Sequence, residues 1–181
     1  MRNVRSIFLG WLLCGIATNL LSQNIHVYSG KNLMDSSTWV RIEIPANQPY
    51  KRYGEAILPT IGIECHQSGE KHDFQILLHT GLVETEGWRV LGSAELEFRH
   101  RLDDAEPGRS IWAPLTDGET YACLGGWKPQ MPRELFLKDL FSAKRLLVEF
   151  QPYRWNGNFT AEFDMQGLAG EFARHEECKL N

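Results

Sequence analysis

The sequence predicts a mainly β fold, an antiparallel β-sandwich with one or two short α-helices. Three observations predict it. Short segments that alternate apolar and polar residues recur along the chain, turn chemistry separates them at near-regular spacing, and only two stretches carry helical periodicity. At 181 residues the chain is long enough for one domain with a real core, and no repeat or low-complexity run divides it.

The elements follow in order. Residues 1–22 read as a secretory signal peptide: Arg2 and Arg5 give a positive start, IFLGWLLCGIA (7–17) is a short apolar run, and no acidic side chain precedes Asp35. Cleavage fits after Ala17 or after Ser22. Lipoprotein anchoring at Cys14 is disfavoured, because bulky Leu13 stands where that processing wants a small residue. Residues 23–34 form a lead segment and residues 35–181 the single β-sandwich domain.

Within that domain WVRIEI (39–44) alternates as a half-buried strand does. Further strands are expected at AILPTIGIEC (56–65), DFQILLHT (73–80) and WRVLGSAELEFRH (88–100), the last broken near Gly92. RSIWAPL (109–115), RLLVEFQPY (145–153) and FTAEFDM (159–165) complete the set, with SGE, TEG, DDAEPG, TDGE and NGN as turns. PRELFLKDLFSA (132–143) is an expected helix, with Pro at its start and Leu135, Leu140 and Phe141 near helical spacing. LAGEFARHEE (168–177) is the second, with Leu168 and Phe172 on one side, running into Cys178.

Loss of the leader removes two arginines and no acid, leaving 17 basic against 23 acidic residues, a net of −6. No Lys/Arg cluster stands out, which argues against nucleic acid or an anionic membrane as partner. No apolar run outside the leader approaches a bilayer span. Cys65, Cys123 and Cys178 then remain in an oxidising compartment, enough for one internal disulfide and one odd thiol, with three pairings possible.

IECHQSGEKHDF (63–74) crowds Cys65, His66, Glu70, His72 and Asp73 around a Ser-Gly pair, a composition that suggests a metal site. Strand register argues for a hairpin instead. Burying Ile61, Ile63 and Cys65 on the same side as Phe74, Ile76 and Leu78 requires Cys65 opposite an even-numbered partner. The pairing 65:72, 66:71, 67:70 satisfies this and leaves Ser68-Gly69 as a two-residue loop. His66 and His72 then point to opposite faces, and no metal is expected.

The other constellations read as structural. A reactive Cys123 in YACLGGW (121–127) needs a base that no spacing identifies, so a buried or odd cysteine is expected. His79 reads as a strand-end residue, and Asp103-Asp104 and Glu84/Glu86 as solvated turn faces matching no calcium-loop spacing. No hydrolase, zincin, P-loop or dinucleotide fingerprint is present. These readings predict a non-enzymatic protein without cofactor. Trp112, Trp127, Tyr153, Arg154 and Trp155 at strand ends and in loops form the candidate binding surface, since Tyr, Trp and Arg are enriched at protein contacts and flat rings also stack on sugars; the plainer alternative is that most of the tryptophans fill the sandwich core.

In order along residues 35–178, DSSTWVRIEI, LPTIGIEC, DFQILL, ELEFRHRLDD with SIW, LTDGETY, RLLVEFQPY, AEFDMQGL and terminal Cys178 resemble the VasI/TagO family of type VI secretion system-associated proteins. The resemblance implies an exported accessory protein of a bacterial envelope machine, periplasmic and without a known catalytic motif. It also implies a Cys65–Cys178 disulfide tying the C-terminal helix to a core strand, with Cys123 left over. The sequence departs from the family in the segment NIHVYSGKNLM and at Arg99-His100-Arg101-Leu102-Asp103. The leading expectation is an accessory protein acting by protein contact in the periplasm. The alternative is a glycan- or peptidoglycan-binding module using the loop aromatics, and a small hydrolase on Cys123 or a carboxylate pair stands third.

Overall fold

The computed structural model describes residues 24–81, 83, 96–117, 119–126, 132–154 and 156–180. The chain runs β1 (His26–Lys31), β2 (Thr38–Pro45), β3 (Tyr50–Arg52), β4 (Glu55–Ile57), β5 (Thr60–Ser68), β6 (Lys71–His79), β7 (Leu96–Leu102), β8 (Gly108–Pro114) and β9 (Thr120–Gly126). Then come α1 (Arg133–Ser142), β10 (Arg145–Phe150), β11 (Phe159–Asp164), α2 (Leu168–Phe172) and a final 3₁₀ turn over Glu176–Cys178. Nine strands join in one antiparallel sheet ordered β1-β2-β5-β6-β9-β8-β7-β10-β11, and β3 with β4 forms a separate hairpin.

The two layers of the expected sandwich are therefore the halves of one rolled sheet. Along β2, β10 and β11 buried residues alternate with more exposed ones, so one face of each strand turns inward. The inward residues form a single core cluster drawn from both halves, from Val40 and Ile42 to Val148 and Phe163. Two devices help the sheet curl. Ile111 pairs with Gly125 but Trp112 pairs with Cys123, so Leu124 is an extra residue in β9, and such a bulge increases twist. After β2, the Asn47 N–H donates to the Glu162 carbonyl of β11 at 2.7 Å, joining the two sides of the roll.

Helix α1 caps the core with Phe136, Leu137 and Leu140, each burial worth roughly 1.5–3 kcal/mol. Its apolar face is thus rotated from the expected one, and Leu135 lies exposed. Arg133 fixes the start of the helix through Asp73 at 2.5 Å and through the Phe74 ring, 4.9 Å from its guanidinium carbon. Among the described residues no helix is long and apolar enough to cross a membrane.

Several expected boundaries move. The segment 56–65 divides into β4 and β5 around Leu58-Pro59, because proline supplies no ladder donor. Strand β1 lies in the lead segment, while β3 and β9 were not expected as strands. Of the strand expected at 88–100, residues 88–95 lie outside the described residues and β7 begins at Leu96. The hairpin register is also corrected: Cys65 pairs with Phe74 and Ser68 with Lys71, leaving Gly69-Glu70 as the loop. Gly69 has φ 62°, at the first central position where a type II′ turn places glycine. The parity argument is unaffected, because Phe74 is an even-numbered partner.

Candidate functional site

The C-terminal region closes one end of the roll. Cys65 on β5 and Cys178 form the disulfide, with Cα atoms 5.1 Å apart and a sequence separation of 113. The expected helix 168–177 is shorter than its sequence suggested, with α2 ending at Phe172 and extended His175 leading into the 3₁₀ turn that carries Cys178. Gly170 lies inside the helix that forms, the break comes after it, and Cys178 is buried in the 3₁₀ turn. Phe172 packs on Phe141 of α1 with ring centres 4.8 Å apart. Cys123 stays outside the disulfide, buried in the core.

The metal-like cluster beside this end resolves into separate structural roles. His66 bonds Glu64 at 2.8 Å, His72 faces the Glu177 carbonyl at 3.3 Å, and Asp73 holds Arg133. Among the described residues no group of three His, Cys, Asp or Glu side chains is placed to hold a metal ion. Asp103, in the left-handed region at φ 48°, accepts the N–H groups of Lys144 and Arg145 at 3.0 and 2.9 Å.

The other end of the roll carries a cluster of arginine and tyrosine, with Tyr53 and Arg154 exposed and Arg52 and Tyr153 half-buried. Its foundation is Tyr50, which is 3 % exposed and packs on Phe159 at 5.0 Å and Phe150 at 6.0 Å. The Tyr50 hydroxyl donates to the Thr80 carbonyl. Gly81 has φ 71°, and an added Cβ there would stand 2.9 Å from the Tyr50 oxygen, so glycine is required for both conformation and space. Burial pushes the Tyr50 and Tyr121 hydroxyls up to about 12 each, and Tyr121 Oη accepts the Val83 N–H at 3.3 Å. Val83 in turn bridges Pro152. This scaffold sets the β3–β4 hairpin beside the chain leaving β10.

Arg52 and Tyr53 then meet Tyr153 and Arg154. The Arg52 guanidinium carbon lies 5.4 Å from the Tyr53 ring centre and 5.9 Å from that of Tyr153, and Arg154 lies 5.2 Å from Tyr153. Hydrogen bonds to the hydroxyls of Tyr153 and Tyr53 raise the Arg154 guanidinium above its usual range. Tyr53 and Gly54 have φ 49° and 89°, the two positive values a type I′ loop needs, and asparagine is the residue favoured where Tyr53 stands. Arg154 has φ 58°. Left-handed backbone costs about 1–2 kcal/mol per non-glycine residue. Tyr53 is nevertheless 69 % exposed, so no burial of its ring offsets that cost.

No family model, curated protein or solved structure matches this chain.

The residues expected at a binding surface are placed differently from one another. Tyr153 and Arg154 are together in the arginine–tyrosine cluster, whereas Trp112 is 1 % exposed and belongs to the core. Its indole N–H donates to Ser110 Oγ at 2.7 Å, and its ring packs on Phe98 and Phe136. Trp112 sits mid-strand on the inward side, so its alternation with Ser110 was the available signal. Trp127 and Trp155 lie outside the described residues. Arg52 and Tyr53 were missed; the Tyr-Gly pair before a short strand was their only signal.

Proposed function

We propose that this protein is an exported, non-enzymatic accessory protein of a bacterial type VI secretion system that acts by protein contact in the periplasm. The observation that carries the contact reading is the Arg52–Tyr53–Tyr153–Arg154 cluster, two cations alternating with two rings on strained loops above a rigid core. Arginine and tyrosine are enriched among residues that dominate protein interfaces, and preorganised side chains lose less entropy on binding. The disulfide supports an oxidising compartment. The resemblance to the VasI/TagO family supports the secretion-system role. A buried Cys123 favours the non-enzymatic reading, since a nucleophilic thiol must reach its substrate.

The exposed rings also support a second reading, a peptidoglycan-binding module, because flat tyrosine faces suit sugar faces. A photo-crosslinking residue introduced at Tyr53 in cells, with one at Ser68 as control, separates the two. Protein contact predicts a discrete adduct from position 53 that contains a secretion-system envelope protein and is absent from position 68. Co-sedimentation with purified sacculi that is lost in Tyr153→Ala, with no protein adduct, would favour peptidoglycan. Equal labelling from both positions would reject the surface for either partner.

A further inference from the structure

The outer face of β7, β10 and β11 carries a row of charges whose pairing leaves one arginine over. Arg99 stands opposite Glu149, Arg101 opposite Leu147, and Glu149 opposite Thr160. The arginines around them are neutralised: Arg99 by Glu149 at 3.3 Å, Arg109 by Glu97 at 2.5 Å and Arg145 by Asp104 at 3.0 Å. Glu149 also accepts from Asn158 at 3.0 Å. Arg101 has no such carboxylate among the described residues, and its Nε is buried from water without a hydrogen-bond partner.

Arg101 lines a cavity of about 310 Å³ with Arg99, His100, Pro107, Leu147, Glu149 and Thr160. The wall chemistry is specific. Leu147 and Pro107 are apolar, the Thr160 hydroxyl can donate or accept, and the Arg99–Glu149 pair cancels its own charge. Burial pushes the His100 imidazole down from its usual value despite Asp139, so it adds no charge near neutral pH. One guanidinium therefore remains uncompensated beside an apolar wall. An arginine without a carboxylate partner keeps its charge for an entering anion.

We propose that this cavity is a binding site for a small aliphatic monocarboxylate, with Arg101 as its anchor and Leu147 and Pro107 against its apolar body. A guanidinium fork matches a carboxylate, and a single positive charge suits a monoanion better than a phosphate dianion. The site is separate from the Arg52–Tyr153 cluster, so neither reading depends on the other.

The test is an arginine Nε–H NMR titration of the oxidised protein with butyrate, run beside inorganic phosphate at matched ionic strength. Butyrate should shift the Arg101 resonance saturably, with a dissociation constant on the order of 1 mM. Arg101→Gln should abolish saturable binding, as followed through the Leu147 methyl resonances. Arg101→Lys, which keeps charge but loses the fork, should weaken it at least about tenfold. Arg109→Gln, outside the cavity, should leave it unchanged. Absence of saturation, equal affinity for phosphate, or undiminished binding in Arg101→Gln would overturn the proposal.

Discussion

The two ends of the rolled sheet are built on opposite terms. At the Cys65–Cys178 end the principal side chains are consumed by the fold: the cysteines are bonded, Phe172 is buried against Phe141, and Asp73 is paired with Arg133. At the Tyr50 end a similarly firm foundation supports a rim of Arg52, Tyr53, Tyr153 and Arg154 that solvent reaches, two of them in left-handed backbone. Removing a group from the first end should cost stability. Removing a ring from the second should cost binding and little else. The contrast teaches that the same fold can spend its constraints on persistence at one end and on presentation at the other.

The largest effect should come from the first end. Reduction of the disulfide, or Cys178→Ser, releases the constraint over 113 residues of chain and should destabilise by about 4–5 kcal/mol on chain-entropy grounds. Denaturant unfolding of oxidised and reduced protein measures it, and a change below about 1 kcal/mol would mean that packing alone closes that end.

The foundation of the second end gives intermediate effects. Tyr50→Phe strands the Thr80 carbonyl inside the protein and should cost about 1–3 kcal/mol. The same residue supplies a pH test. Tyr50 and Tyr121 ionise at about 12 in the fold against an ordinary 10, so the folded state retains protons that the unfolded chain releases. Their contribution is complete below pH 10 and should be lost as pH rises from 10 through 12, first loosening the patch end. Unfolding midpoints across that window should fall less steeply in Tyr50→Phe than in the unaltered protein; equal slopes would sever Tyr50 from the alkaline transition.

Much of this contrast was legible in the residues, unevenly. The alternation of WVRIEI, DFQILL and RLLVEF shows which face turns inward, because a sheet wetted on one side imposes a period of two. Parity identified the inward Cys65 even though the loop had shifted by a residue, since a two-residue shift of the partner strand preserves faces. Other features depend on contacts distant in sequence. In β9, YACLGG reads as a glycine turn, yet Tyr121 and Cys123 alternate inward once β6 and β8 flank them. Trp112 was placed on the surface by residue type when its strand position made it core. The patch was half legible: Tyr153 and Arg154 stand out by composition, but Arg52 and Tyr53 reach them only because Tyr50 docks a three-residue strand onto Phe150 and Phe159.

The smallest predicted effect tests the contrast most directly. In Tyr53→Asn, the left-handed turn gains a residue it favours, while the fold loses an exposed cation–ring contact worth about 0.5–1 kcal/mol and the Arg154 hydrogen bond to the Tyr53 hydroxyl. Asparagine relieves part of the roughly 1–2 kcal/mol of backbone strain, which offsets those losses. Equilibrium unfolding of this variant against the unaltered protein should therefore show a change within about 0.5 kcal/mol. A variant less stable than the original by more than about 1.5 kcal/mol would show that the Tyr53 ring holds the fold together, contradicting its assignment to a surface kept for a partner.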